Sequence, residues 1–367
     1  MIKNPFVYSR VVKGENFLDR EDEMYYLKRA MTNANTVFLV SPRRYGKTSL
    51  LINFIEQMRN GEFLCVYIDL YRVSSLKRFL ELYLTEVGRA VTQKPERALS
   101  FLKGVIFGAR LKFSLLFDGS YYIGLDHFSK ERDLFEILDE IFDIPQKIAD
   151  KNKKRFIVIF DEFEEIRNYA PRAEKRIRGR TQHHSNIGYI FAGSGKGMVV
   201  NMGESIYGLN KIPEDIFKRY IKERFEKTGF YITENAIQRI IELTENCPYN
   251  VQFLCHRIWE LRRETKRVNV KDAESGMRTI LDEQTPFYLS LWNKLTTHQK
   301  HLVLAIARKG GRKVFSKEYI GEANLSSPSS VQTSLRLLLK KDIIYRHENE
   351  YRIEDVFFKQ WIRYKIH

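Results

Sequence analysis

Cysteine is scarce in this chain: 367 residues hold three, Cys65, Cys247 and Cys255. So small and odd a number excludes a disulfide framework. The spacing of Cys247 and Cys255 is not that of a zinc knuckle, even with His256 alongside, and all three read as buried thiols. Long apolar runs are missing too. A membrane-spanning helix needs roughly 20 apolar residues, and the longest candidates, residues 63–70 and 156–160, have the length of buried strands. The start, Met1-Ile2-Lys3-Asn4-Pro5, lacks the apolar centre of a secretory leader. The expectation is a cytoplasmic protein with no membrane partner. There are no internal repeats and no low-complexity segments. Acidic residues are the minority, 46 against 62 Lys and Arg, for a net charge of +16. That balance favours an acidic partner, nucleic acid before an anionic surface. What is present suffices for an ordinary core: 43% of residues are hydrophobic, and the length suits two or three domains.

The hydropathy pattern changes character along the chain. Met24, Leu27, Ala30 and Met31 recur at helical spacing. The apolar run 36–40 follows and leads into Ser41-Pro42-Arg43-Arg44-Tyr45-Gly46-Lys47-Thr48. Next comes an amphipathic helix with Leu50, Leu51, Phe54, Ile55 and Met58 on one face, then a strand over 63–69. Residues 72–154 read as an insertion. It contains a helical portion over 76–104, a hairpin turning at Asp118-Gly119, and a helix presenting Leu134, Ile137, Leu138, Ile141 and Phe142. Further strands are expected over 155–161, 187–193 and 206–212. Strands alternating with helices predict a parallel sheet covered on both faces. From Pro213 onward the pattern is helical, over 214–227, 234–245, 249–264 and 271–283. A last unit begins near Thr296, with helices over 297–307, 316–323 and 328–341. A strand pair, 343–347 and 350–353, turns at Glu348-Asn349. Three helices and a two-stranded wing make a winged helix.

Ser41 to Thr48 follows the phosphate-loop pattern G-x-x-x-x-G-K-[ST], with Ser41 in place of the first glycine. Such a loop aims backbone N–H groups and a helix N-terminus at phosphate oxygens. Gly46 permits a conformation that a Cβ would obstruct. Lys47 bridges the β- and γ-phosphates, and Thr48 offers its hydroxyl to Mg²⁺. Gly-Lys-Thr alone is common by chance; the strand before it and the amphipathic helix after it give it meaning. The second half of the site is the strand 155–161, which ends in Asp161-Glu162. There an Asp holds Mg²⁺ and a Glu polarises the attacking water. Gly193-Ser194-Gly195-Lys196-Gly197 is glycine-rich but lacks the hydroxyl residue after Lys and is not read as a second phosphate site. Ser194 is either a sensor of the γ-phosphate or of water, or a turn residue. Asn-Lys-x-Asp, which reads guanine, is absent and no acceptor pocket is evident, which ranks a GTPase or small-molecule kinase below a protein that binds ATP or ADP.

These motifs together resemble the archaeal-type P-loop ATPase family, an AAA+/STAND-like group. The carriers are Asn4-Pro5-Phe6, Phe17-Leu18-Asp19-Arg20-Glu21, Ser41-Pro42-Arg43-Arg44-Tyr45-Gly46-Lys47-Thr48-Ser49-Leu50, Phe160-Asp161-Glu162-Phe163, Gln182-His183-His184, Phe191-Ala192-Gly193-Ser194 and Pro248-Tyr249-Asn250-Val251-Gln252. The resemblance implies an α/β fold: a P-loop NTPase parallel sheet with a helical lid and a C-terminal winged-helix domain. The expected boundaries are 1–212 for the core, 213–290 for the lid and 291–367 for the winged helix. It also implies a catalytic set of Lys47, Thr48, Asp161 and Glu162, with Mg²⁺ on Thr48 and Asp161; Ser194 is added to the catalytic candidates from its place at the strand tip, in its reading as a sensor. Nucleotide contacts would run from Ser41 through Ser49, with Phe17, Arg20 and Pro248 on the adenine side. Residues 196–207 contain no arginine that could act in trans.

The basic residues leave alternatives open. Arg43 and Arg44 either contact nucleotide or clamp the loop onto neighbouring acids. Arg172, Lys175, Arg176, Arg178 and Arg180 form a solvated helix face, or meet nucleic acid or a neighbouring subunit's γ-phosphate. From residue 296 onward there are 14 Lys and Arg against 7 Asp and Glu. In the recognition helix, Gln332, Thr333, Arg336 and Lys340 are of the types that reach DNA. Winged helices also serve as protein contacts. Two functions follow: an ATPase acting as a nucleotide-driven switch, with a winged helix for duplex DNA, or a nucleotide-gated protein-interaction module with little turnover. A protein partner or self-association belongs with the second.

Overall fold

The computed structural model describes residues 2–59, 62–103, 111–116, 120–125, 131–194 and 205–366. The chain divides into two compact units. One comprises Arg20–Pro42 and Lys47–Asn210; the other comprises Met1–Asp19, Arg43–Gly46 and Lys211–His367.

The first unit is built on the strands β1 (Thr36–Val40), β2 (Phe63–Asp69), β3 (Leu111–Leu115), β4 (Tyr121–Leu125), β5 (Arg155–Asp161), β6 (Ile187–Gly193) and β7 (Ser205–Gly208). Five of them make one parallel sheet in the order β2-β5-β6-β1-β7. Its central strands are continuous apolar runs. In β5 every residue after Arg155 is buried, and in β6 all seven are. Such runs suit a parallel sheet covered on both faces. The helix Glu21–Thr32 packs on β1 and β6, while Lys47–Met58 and Leu76–Val91 pack on β2. The approach at Gly188 is close: a Cβ there would lie 2.6 Å from Met31 Sδ.

The expected strands 36–40, 63–69, 155–161 and 187–193 form with those bounds, whereas 206–212 shortens to β7. The helical portion of the insertion is two helices, Leu76–Val91 and Pro95–Lys103. Thr92 is extended at the C-cap of the first, and Pro95 opens the second, a first-turn position where the missing N–H costs nothing. The hairpin strands β3 and β4 pair antiparallel, and their expected turn lies outside the described residues. Glu81 and Thr85, on the buried face of Leu76–Val91, accept the Leu125 and Ile123 amides, both at 3.0 Å, and tie the hairpin to the helix.

The second unit is largely helical. Its helices include Glu214–Lys227, Glu234–Thr244, Pro248–Leu261 and Val270–Asn293, with a short pair of strands, β8 (Tyr231–Ile232) and β9 (Arg267–Val268). The helix expected to stop at residue 283 runs ten residues further, through Pro286. A proline removes one backbone bond, but Tyr288 and Trp292 beyond it are buried, and that burial outweighs the loss. The winged helix follows: Thr297–Lys309, Lys317–Glu322 and Pro328–Lys340 with the strands β10 (Gly311–Arg312), β11 (Ile344–His347) and β12 (Glu350–Ile353), then Val356–Lys365. Thr296 and Ser327 each close a capping box, satisfying helix-end amides. The sheet has three strands rather than two, in the order β10-β12-β11. Phe357, Phe358 and Trp361 are buried in its core. Among the described residues no helix is long and apolar enough to cross a membrane.

Candidate nucleotide site

In an open parallel sheet, ligands sit beyond the carboxyl ends of the strands, and the motif residues lie there. β1 runs into the phosphate loop, β5 ends in Asp161 and β6 leads into Ser194. Because β6 lies between β5 and β1, Ser194 emerges between the acidic strand end and the start of the loop. The Ser41 amide donates to the Gly193 carbonyl at 3.2 Å, fixing that junction.

The loop is shaped by its backbone. Gly46 has φ +88°, and among the described residues no heavy atom beyond its own chain neighbours lies within 4 Å of where its Cβ would stand. Glycine adopts that conformation without cost. Arg44 also has a positive φ, +71°, whereas that of Ser41 is not positive. A serine in place of the pattern's first glycine therefore needs no left-handed backbone. The Ser41 side chain is buried, and its hydroxyl has no partner among the described residues. Lys47 opens the following helix.

Four residues meet at the end of β5. Thr48 Oγ1 donates to Asp161 Oδ2 at 2.7 Å. Lys47 Nζ stands 3.0 Å from Glu162 Oε1 and 3.8 Å from Asp161 Oδ1. Lys47 and Asp161 are buried. Glu162 has φ +53°, a left-handed conformation that non-glycine residues rarely take and that clusters at functional sites. Burial raises the Glu162 pKa, and the Lys47 ammonium opposes that shift.

Two members of this cluster were not expected from the sequence. Tyr67, on β2, donates its phenol to Asp161 Oδ2 at 3.0 Å. Burial raises the Tyr67 pKa, and Asp161 reinforces this, keeping it a donor. Its sequence signal is weak, a tyrosine two residues before the end of an apolar strand. The other is Glu164, whose Oε1 accepts both the Ser194 amide at 2.7 Å and the Ser194 hydroxyl at 2.6 Å. Its signal was the acidic run Glu162-Phe163-Glu164-Glu165.

The remaining expected residues divide between the units. Arg20 is buried and committed, donating to Glu23 at 2.7 Å and to the Asn210 carbonyl at 2.9 Å. Ser49 is buried in the helix after the loop. Arg43 to Gly46 group with the helical unit, as do Phe17 and Pro248. There Arg44 pairs with Asp355 at 2.9 Å and lies over the Tyr249 ring, 4.9 Å from its centroid. Arg43 is 3.3 Å from Asp342. Of the two readings of these arginines, the geometry favours the clamp. Burial raises the Tyr45 pKa, and the Tyr345 hydroxyl adds to it. Pro248 opens its helix at the first turn.

The basic helix Pro171–Thr181 is largely neutralised. Arg176 grips Asp139 with two bonds of 2.9 and 2.8 Å, and Arg180 is 3.2 Å from Asp143. Arg178 is 3.8 Å from Glu174, leaving Arg172 and Lys175 exposed. In the recognition helix, Gln332, Thr333, Arg336 and Lys340 are on the outer side, while Val331, Ser334, Leu335 and Leu338 face inward. Residues 195–204, which hold the Gly195-Lys196-Gly197 stretch, lie outside the described set.

The residues fit a magnesium nucleotide. Magnesium is typically held by one or two carboxylates together with substrate phosphates. Among the described residues no group of three or more His, Cys, Asp or Glu could hold a metal. The converging pair Thr48 and Asp161 is the donor set such a shared site needs. The buried Ser41 hydroxyl, with no partner among the described residues, suits a phosphate oxygen.

Comparison with known proteins agrees with this geometry. Residues 17–206 match the family described as "ATPase domain predominantly from Archaea", and residues 286–364 match one described as "probable winged helix domain". No curated protein sequence matches. Among solved structures, the chain is similar to the Walker-type ATPase PABY2304 of Pyrococcus abyssi, with 19% identity, TM-score 0.67, and 98% of this chain and 99% of that one covered. The ORC2 protein of Aeropyrum pernix, solved as ADPNP–ADP complexes, gives 12% identity and TM-score 0.55 over 99% and 98%. The ORC1 protein of the same organism, in complex with DNA, gives 12% and 0.51 over 95% and 93%. At such identities the likeness shows the fold.

Proposed function

The chain belongs to the family of ATPase domains found predominantly in Archaea, and from that premise we propose a Mg²⁺-dependent ATPase that works as a nucleotide-driven switch and whose winged helix contacts duplex DNA. The observation that carries the catalytic part is the convergence of Lys47, Thr48, Asp161 and Glu162 at the end of β5. The proposed division is a core over 1–212, a lid over 213–290 and a winged helix over 291–367.

In this reading the loop from Ser41 to Ser49 cradles the phosphates, and Phe17, Arg20 and Pro248 serve the adenine side. Thr48 and Asp161 hold the metal, which supplies charge neutralisation of the phosphate oxygens. The Lys47–Glu162 pair satisfies both charges by itself. A triphosphate offers Lys47 a more highly charged partner and releases the Glu162 carboxylate. Glu162 then polarises the attacking water, as its burial and its raised pKa suit it to do. Tyr67 keeps Asp161 oriented.

The supporting features of the winged helix are the outward-facing Gln332, Thr333, Arg336 and Lys340 and the net positive charge of the unit. One sequence feature favours the alternative of a nucleotide-gated protein-interaction module: residues 196–207 hold no arginine to act in trans.

The test is ATP hydrolysis by wild type and Lys47→Ala, with and without duplex DNA at two salt concentrations. Wild-type turnover that Lys47→Ala abolishes and DNA accelerates is the expected result. Bound nucleotide with no turnover under any condition favours the interaction module. Replacing Arg336 and Lys340 with Ala should weaken DNA binding and lower the salt slope by about one for each phosphate no longer neutralised. An unchanged slope removes this helix from the interface.

A further inference from the structure

Ser194 follows the last residue of β6, between the acidic end of β5 and the start of the phosphate loop, and the sequence leaves open whether it senses the reacting phosphate, orients water or only turns the chain. Its hydrogen bonds decide. A serine hydroxyl has one proton to donate and two lone pairs to accept with. That proton is directed at Glu164 Oε1, 2.6 Å away, and the Ser194 amide donates to the same oxygen at 2.7 Å. Bonds from two donors to one carboxylate oxygen are charge-assisted and short. The other oxygen, Oε2, is buried without a partner among the described residues. The side chain is thus held by its Oε1 contacts.

What Ser194 can still offer is acceptance. A γ-phosphate presents acceptor oxygens and has nothing to donate to it. A water molecule presents two O–H donors. The charge of Glu164 acts in the same direction, since a carboxylate repels a phosphate. The strand order supplies the location, since β6 emerges between the Asp161–Glu162 corner and the start of the phosphate loop.

We propose that Glu164 is a positioning residue that fixes Ser194 as a hydrogen-bond acceptor for the attacking water, so that the Ser194–Glu164 dyad and Glu162 hold that water from two sides. The dyad is a specificity device for hydrolysis. It recruits water and gives no additional grip on ATP. The proposal rests on the ATPase reading above.

The test is a steady-state and binding series on the full chain: wild type, Ser194→Ala, Ser194→Thr, Glu164→Ala, Glu164→Gln and the double variant Ser194→Ala/Glu164→Ala. Lys47→Ala is the control that turnover comes from this site. Expected is a fall in kcat of about 10- to 100-fold for Ser194→Ala and Glu164→Ala, the size of effect that misplacing a reactant produces. Affinity for a fluorescent ATP analogue should stay within about twofold, the signature of an interaction used only in the reaction. The double variant should fall little below the worse single one, because coupled residues are not additive. Ser194→Thr, which keeps the hydroxyl, should retain most of the activity. Glu164→Gln keeps an acceptor without its charge and should lie between wild type and Glu164→Ala. It also serves if Glu164→Ala does not fold. An active wild type whose kcat is unchanged in Glu164→Ala and Glu164→Gln overturns the proposal and leaves the ATPase reading standing. So does multiplicative loss in the double variant, or loss of ATP affinity in step with kcat. A wild type that never turns over overturns the ATPase reading and the dyad with it.

Discussion

Glu162→Gln is expected to lower ATP turnover by about 10²- to 10⁴-fold, the contribution of a positioned general base, while leaving ATP bound. The substitution keeps the shape of the side chain and removes the negative charge and the basicity. The left-handed backbone at residue 162, with φ +53°, aims the side chain and is unaffected. The wild-type carboxylate holds Lys47 at 3.0 Å, so its neutral replacement frees the ammonium for the phosphates. Affinity for ATP should therefore hold or tighten as turnover collapses. Multiple-turnover assays beside fluorescent-nucleotide titrations separate the two quantities. A variant that hydrolyses ATP at the wild-type rate would remove Glu162 from the chemistry. A variant that also loses ATP would make it a folding residue.

Phe160→Ala is expected to cost about 3–5 kcal/mol of stability, the range for emptying a buried phenylalanine. Phe160 is fully buried in β5, next to Asp161. Its ring meets Phe191 at 5.4 Å and Phe163 at 5.9 Å between centroids, and Phe79, Tyr83 and Phe142 at 6.0 Å. Neighbours anchored in several different elements cannot all close in on the space. The cavity and the missing dispersion attraction both count against the fold. Urea denaturation should show a lower midpoint, with Phe160→Leu less affected. A loss under about 1 kcal/mol would mean that the rings repack. Turnover should fall as well, because the strand that sets Asp161 and Glu162 is pinned by this ring.

The parallel sheet was legible because its signals are local. Four of its strands are uninterrupted apolar runs with charged or turn residues at their ends, and they form with the expected bounds. β7 was legible only in part. It is an exposed edge strand, and the apolar residues Leu209 and Ile212 beyond it are buried in other ways, which lengthened the expected run. The helix Val270–Asn293 shows the opposite case. Proline is a local stop signal, but the packing of Tyr288 and Trp292 carries the helix past Pro286. The third strand of the wing, Gly311–Arg312, is too short to carry a periodicity. At Gly311 a Cβ would come 2.0 Å from the Tyr351 carbonyl oxygen, a constraint visible only once β12 lies beside it.

The site divides along the same line. Its chemical vocabulary was in the sequence: a lysine and threonine after a turn glycine, and two carboxylates closing a strand. Those residues act through backbone geometry that each short motif specifies for itself. Tyr67 and Glu164 carry no such motif. They matter because the strand order puts β2 beside β5 and β6 beside both β5 and β1, and hydrogen bonds across neighbouring strands join residues far apart in the chain. The sequence by itself determined the phosphate loop, the acidic strand end and the winged-helix pattern, because these depend on spacing within a few residues. The tertiary structure alone decided that Arg44 pairs with Asp355, that most of the basic helix is neutralised and that Ser194 gives its proton to Glu164. Each of those depends on which distant partner reaches a charge or a lone pair first, and no local pattern encodes that.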